Sequence, residues 1–145
     1  MPGGRWKMRR RCSGSWESRL RELLSGPNVE DLYEGLRGLL EELIARLSPV
    51  AVLVAGSLAR GEFVRGMSDI DILILVREAP SDEERFSLAS VGGVDVEMAI
   101  YGVDEVLMMA REGSFFILDA LENGAVIYGR LPEGLRAFRR TGGTA

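Results

Sequence analysis

Asp69 and Asp71 stand two residues apart at the mouth of the apolar run Ile72-Leu73-Ile74-Leu75-Val76, a pattern suited to holding a small, hard cation. Side chains on a strand alternate between faces, so both carboxylates project to one side with roughly 6.5–7 Å between their Cα atoms. Magnesium takes oxygen ligands at about 2.0–2.1 Å, commonly one or two carboxylates together with substrate phosphates and water. Two such ions about 3.5–4 Å apart would clamp the attacking and leaving oxygens of an in-line displacement. The plainer alternative makes Asp69 a turn cap and Asp71 a solvated residue at a strand edge. An unpaired carboxylate beside so apolar a run costs several kcal/mol, which weighs for the cation.

The segment upstream supplies a place for phosphate. Val50-Ala51-Val52-Leu53-Val54-Ala55 is short, apolar and rich in β-branched residues, and it is bounded by Pro49 and Gly56, so it reads as a buried strand. Gly56-Ser57 then turns the chain, and Leu58-Ala59-Arg60 can begin a short helix whose free N–H groups and dipole favour an anion. Ser57 adds a hydroxyl, and Arg60 and Arg65 can add charge-assisted bonds to phosphate oxygens. Alone, a Gly-Ser pair after a strand is an ordinary turn; its weight comes from the Asp-x-Asp that follows residues 58–68.

The chain offers two further acids downstream. Val94-Asp95-Val96-Glu97-Met98 alternates cleanly after Gly92-Gly93, with Asp95 and Glu97 on one face and Val94, Val96, Met98 and Ile100 on the other. Either acid could meet Asp69 and Asp71. The competing reading is an amphipathic strand with its polar face in water.

The elements that must position these residues follow from periodicity. Residues 29–47 carry Leu32, Leu36, Leu39, Leu40, Leu43, Ile44 and Leu47 at a 3.6-residue period, predicting one amphipathic helix with Asn28 as its N-cap and Asp31 in its first turn. A shorter helix is expected over 16–24. Further helices are expected over 103–111 and 114–122, stopped by Asn123-Gly124, then a short strand over 125–128 and a last helix over 131–139. Strands near 50–55, 69–76, 94–101 and 125–128 among helices predict an α/β (α+β) fold with a small mixed sheet flanked by helices. Residues 78–84 read as a solvated acidic loop entering a helix. Met108-Met109 and Phe115-Phe116 could line an adenine pocket, but their helical spacing favours core or interface positions.

Composition narrows the chemistry. The chain has 145 residues, 46% of them hydrophobic, which predicts one domain over 16–140 between a disordered basic leader at 1–15 and a flexible tail at 141–145. A net charge of −4 argues against a general electrostatic grip on nucleic acid. Histidine is absent, which removes His-based general bases and zinc–histidine sites and leaves carboxylates with oxygen-seeking metals. The single cysteine, Cys12, allows no internal disulfide and fits a reducing cytoplasm. No apolar stretch reaches the ~18–20 residues of a membrane span.

Gly56-Ser57-Leu58-Ala59-Arg60-Gly61 followed by Ser68-Asp69-Ile70-Asp71-Ile72-Leu73 resembles the signature of the minimal nucleotidyltransferases, small members of the DNA polymerase β superfamily. The resemblance implies the nucleotidyltransferase fold and transfer of a nucleoside monophosphate from a magnesium-bound triphosphate, ATP by default, to a hydroxyl. It implies Asp69, Asp71 and a third carboxylate as catalytic metal ligands. Asp95 is favoured for that third place over Glu97, because Val-Asp-Val best matches the family motif. Gly56, Ser57 and Arg60 would hold the β- and γ-phosphates.

The acceptor is expected to lie outside the chain, since 145 residues leave no room for a second substrate domain. Minimal nucleotidyltransferases are often paired with a HEPN-domain toxin that they neutralise by attaching AMP to a tyrosine, so the resemblance implies an antitoxin role towards a protein partner. Two other readings stay open: a docking antitoxin with relict acids, and a transferase for a small molecule such as an aminoglycoside, whose acceptor site a homo-oligomer would complete.

Overall fold

A computed structural model describes residues 15–139; the expectations for 1–14, Cys12 included, and for the tail lie outside the described residues, while Ser15, expected in the leader, is buried at the start of the first helix. Five strands, β1 (Ala51–Ala55), β2 (Ile70–Val76), β3 (Phe86–Val91), β4 (Val94–Gly102) and β5 (Ala125–Gly129), form one sheet in the order β3-β4-β2-β1-β5. Only β2 and β4 run parallel among the paired neighbours; the sheet is mixed, as the strand pattern predicted.

Strand alternation sorts the core into two layers. Val52, Val54, Ile70, Ile72, Ile74, Val96 and Ile100 face α1 (Trp16–Leu23) and α2 (Tyr33–Leu47), which deliver Leu20, Leu36, Leu40 and Leu43. Leu53, Ala55, Leu73, Leu75 and Ala99 face the opposite way, against Val106 and Ala110 of α4 (Val103–Arg111), Ile117, Ala120 and Leu121 of α5 (Phe115–Asn123), and Leu135 of α6 (Glu133–Arg136). β2 is apolar on both faces because both are covered, the usual signature of a central strand. A five-residue helix, α3 (Gly56–Arg60), leaves the end of β1.

Several boundaries differ from the periodicity. The expected helix over 29–47 begins as a 3₁₀ turn, Glu30–Leu32, before α2. Asn28 does not cap it; its side-chain amide donates to the Phe63 carbonyl at 3.4 Å. The loop expected to lead from the acidic stretch into a helix makes one 3₁₀ turn, Asp82–Glu84, and then enters β3, a strand absent from the sequence reading. Gly92 (φ +56) and Gly93 (φ +82) form the two-residue turn of the β3–β4 hairpin; positive φ at both central positions suits the right-handed twist of paired strands. The last helix, expected over 131–139, is the single turn α6.

Ser114 caps α5 by accepting from the Ile117 N–H at 3.4 Å. Glu105 accepts from the Gly102 N–H and from Arg85, both at 2.8 Å, tying the start of α4 to the approach to β3. Arg85, and then the Gly102 amide, hold the Glu105 carboxyl below its ordinary value. Among the described residues, no helix is long and apolar enough to cross a membrane.

Candidate active site

Strand register lines up four residues across the sheet. Ala55 lies opposite Asp71, Asp71 beside Glu97, and Glu97 opposite Leu88. Neighbours in such a row are about 4.8 Å apart. The row lies on the face that α4, α5 and α6 cover further along the strands.

The chain leaves this row at Gly56, where φ is +68°. A Cβ built there would collide with Oδ2 of Asp71 and stand 3.3 Å from its carboxyl carbon. Gly56 thus lets the turn press against the carboxylate. Gly56, Ser57 and Arg60 line one cavity of about 430 Å³ with Asp69, Asp71, Glu97, Phe115, Phe116 and Asp119. The expected phosphate residues and the expected carboxylate pair therefore share a single pocket.

Charge in this pocket is one-sided, with four carboxylates against the guanidinium of Arg60. Burial, and then the charge of Asp69, raise the Asp71 carboxyl above its ordinary value; Arg60 pulls it the other way, and Asp119 adds to the rise. Glu97 is also raised, first by desolvation, then by Asp71 and Asp69, and by a side-chain hydrogen bond with Asp69. Like charges gathered in this way favour protonation or a bound cation.

Among the described residues, no group of three or more His, Cys, Asp or Glu stands ready to hold a metal ion. The chemistry of the donors nevertheless fits a hard divalent ion completed by phosphate and water oxygens. Asp69, Asp71 and Glu97 offer oxygen donors alone, and their mutual repulsion is only partly offset by Arg60.

The structure places Glu97, rather than Asp95, beside Asp69 and Asp71. Asp95 sits opposite Ser90, nearer the hairpin turn, and does not line the pocket. Arg65, expected at phosphate, instead makes two bonds to Asp31 at 2.9 and 3.0 Å and further bonds to the carbonyls of Asn28 and Gly92. It staples the 61–69 loop to the 3₁₀ turn and to the β3–β4 turn.

A family profile described as a nucleotidyltransferase domain matches residues 36–126, from α2 into β5. The chain belongs to the nucleotidyltransferase domain family. The matched segment encloses the glycine turn, the acid-bearing strands β2 and β4, and α5. No curated protein matches the chain. General nucleotidyl transfer is therefore the chemistry of this fold, and the pocket sets the Gly56-Ser57 turn against an acidic floor.

One residue of the nucleotidyltransferase pocket, Asp119, escaped the sequence reading. Asp119 accepts from Arg60 at 2.8 Å through Oδ2 and from the Asn123 amide at 2.9 Å through Oδ1, so α5 holds the guanidinium that α3 presents. The available signal was a lone acid in the otherwise apolar Phe115-Phe116-Ile117-Leu118-Asp119-Ala120-Leu121 segment. Phe115 and Phe116, assigned to core or interface by spacing, are 82% and 36% exposed and stand at the pocket rim. Met108 is exposed as well, and it is absent from the pocket lining.

Proposed function

We propose that this nucleotidyltransferase moves AMP from magnesium-bound ATP onto a hydroxyl of a separate polypeptide, with a HEPN-type toxin as the expected partner and neutralisation of that toxin as the outcome. The observation that carries the reading is the row Ala55–Asp71–Glu97 ending at the Gly56 turn, which sets an anion-binding bend against clustered carboxylates. Asp69, Asp71 and Glu97 would hold magnesium, which when bound neutralises phosphate charge and polarises the phosphoryl group. Gly56 and Ser57 approach the β- and γ-phosphates, and Arg60 binds them through its planar fork. Glu97 would also stand near the attacking hydroxyl, since it lines the same pocket as Asp69 and Asp71. ATP and the HEPN partner rest on the resemblance of the Gly-Ser and Asp-x-Asp motifs to minimal nucleotidyltransferases.

The deciding experiment incubates the purified protein with magnesium, α-labelled ATP and the product of the adjacent gene. Label on that partner, lost with Asp71→Asn, is the expected result. An unlabelled partner, with a control adenylyltransferase active in the same buffer, would end the reading.

A second reading is favoured by the exposed Phe86, Leu88 and Phe115: the chain neutralises a partner by docking alone. The paired substitution Asp69→Asn and Asp71→Asn separates the two. Docking predicts intact neutralisation, whereas transfer predicts complex formation without neutralisation.

A further inference from the structure

The chain treats the two edges of its sheet differently. Along β5, Arg19 of α1 donates to the carbonyls of Ile127 and Gly129, each at 3.4 Å, so that edge is occupied. β3 forms the other edge, and among the described residues no strand pairs with its outer side. Edge strands are commonly guarded by charge, proline or a bulge. Phe86-Ser87-Leu88-Ala89-Ser90-Val91 has no charged residue and no proline, and its register with β4 runs unbroken. Phe86 and Leu88 are 62% and 74% exposed along it.

The β3–β4 register fixes which backbone groups this edge offers. The Ile100 N–H donates to the Arg85 carbonyl at 2.7 Å, which makes Arg85 and Ile100 a hydrogen-bonded pair. Bonded and non-bonded pairs alternate along an antiparallel ladder. Ser87, Ala89 and Val91 therefore bond to β4, and the N–H and C=O groups of Phe86, Leu88 and Ser90 point outward.

Three outward residues at a spacing of two are their own complement. Laid antiparallel against a second copy, about a two-fold axis at Leu88, they pair Phe86 with Ser90, Leu88 with Leu88 and Ser90 with Phe86, each pair exchanging both its hydrogen bonds. A slip of two residues either way loses one of these pairs. The centred register also brings opposite charges together. Glu84 of one copy falls opposite Gly92 of the other, so the acidic turn Asp82–Glu84 approaches the place where Arg65 donates to the Gly92 carbonyl at 3.3 Å. Arg65 already holds Asp31, and Glu84 brings a second carboxylate to the same cation.

We infer that the outer edge of β3 is a self-association surface, occupied by β3 of a second copy of this chain in antiparallel register centred on Leu88. The two five-stranded sheets then become continuous, and their rows Ala55–Asp71–Glu97–Leu88 join end to end on one face. Leu88 of the second copy comes to stand beside Leu88, at the edge of a cavity of about 360 Å³ that Phe86, Leu88, Ala99, Tyr101 and Phe116 wall next to Glu97. Each copy thus adds an apolar wall to the other's cavity, and the two Glu97 positions lie three strand spacings apart, roughly 14 Å.

Sedimentation equilibrium of the full chain, without nucleotide or any other protein, should show a monomer–dimer equilibrium. Leu88→Lys sets a charge on the two-fold axis, and Leu88→Pro removes an outward N–H while sparing the ladder to β4. Each should weaken the dimer about tenfold or more. Amide exchange should show the Leu88 and Ser90 N–H groups protected in the dimer and released on dilution, with Ser87 and Ala89 protected throughout. In a Cys12→Ser background, Leu88→Cys should give a disulfide-linked dimer with diamide, because bonded antiparallel neighbours lie about 5.5 Å apart at Cα. Phe86→Cys, four residues out of step with its own copy, should not. A monomer at every concentration, a dimer that Leu88→Lys leaves intact, or a Leu88→Cys protein that does not cross-link would each overturn the inference. Protection of the Leu88 amide that is unchanged by dilution would place another segment of the same chain on this edge and would overturn it as well.

Discussion

A side chain at position 56 and the carboxylate of Asp71 cannot occupy the same space: the missing Cβ of Gly56 leaves the room that Oδ2 of Asp71 fills. The two residues stand at the end of the β1–β2 ladder, where Ala55 pairs with Asp71, so their contact fixes the Gly56-Ser57 turn against the acidic strand. Gly56→Ala adds strain at φ +68° to that collision. The left-handed conformation costs a non-glycine residue roughly 1–2 kcal/mol. Urea unfolding should show a loss of at least that size, with transfer activity falling further than stability. Gly56→Ala combined with Asp71→Ser should recover part of the stability and none of the activity, since the collision is relieved while the backbone strain remains.

Asp71 and Glu97 make the protein's stability depend on pH in a direction opposite to that of a paired carboxylate. Both are raised in the folded state, by burial first and then by neighbouring acids. Between the ordinary carboxylate range and these raised values the folded chain holds more protons than the unfolded chain. Stability therefore falls as pH rises through that window and stays lower above it. In metal-free buffer, Asp71→Asn should be more stable than the wild type at neutral pH and show a flatter pH profile by urea unfolding. Added magnesium should stabilise the wild type alone, because a ligand stabilises only the fold that binds it. Equal pH profiles for the two proteins would refute this account of the pocket.

Glu97 and Asp95 differ by one step along the same face of β4, and they should differ sharply in transfer. Glu97 adjoins Asp71 in register and lines the acidic pocket, whereas Asp95 faces Ser90 across the hairpin. Glu97→Gln removes a charge aimed at the reacting centre, and kcat should drop about a hundredfold or more, the order seen when one preorganised electrostatic contact to a transition state is lost. Asp95→Asn should change kcat by less than about threefold, in keeping with a surface substitution. The reverse ranking in a single-turnover assay would return the third place to Asp95.

How much of this was legible follows from how each signal is encoded. Alternation and apolar runs revealed β1, β2, β4 and β5, because a strand covered by helices spells its burial in consecutive residues. β3 was missed because its apolar residues change faces midway: Phe86 and Leu88 point to the acid-bearing face, Ala89 and Val91 to the other. An edge strand with one face open to solvent has no reason to keep a clean period. Asp69, Asp71, Gly56, Ser57 and Arg60 could be assembled from local spacing because two adjacent strands bring them together. Choosing between Asp95 and Glu97 depended on the β2–β4 register, which is set by long-range pairing and is invisible in the spacing within either strand. Asp119 was hidden for the same reason, since it arrives from a helix 48 residues downstream of Asp71 and only the packing of α5 on α3 brings it to Arg60.

Arg60 and Arg65 carry the same charge five residues apart, yet they should fail in different ways. Arg60 lines the pocket, held by Glu62 at 3.1 Å and Asp119 at 2.8 Å, and both partners, Glu62 first, raise its pKa, so it stays cationic. Arg60→Ala should raise the KM for nucleotide roughly tenfold or more, the scale of a lost charge-assisted bond to phosphate. Arg60→Lys should recover only part of that, because an ammonium keeps the charge and loses the fork. Asp119→Asn weakens the contact that aims the guanidinium and should raise KM while leaving kcat within about threefold. Arg65, spent on Asp31, Asn28 and Gly92, should behave differently: Arg65→Ala lowers the urea midpoint and leaves the nucleotide KM within about twofold in protein confirmed as folded. An equal rise in KM for Arg65→Ala would mean that the 61–69 loop swings Arg65 to the phosphates, against the contacts it makes here.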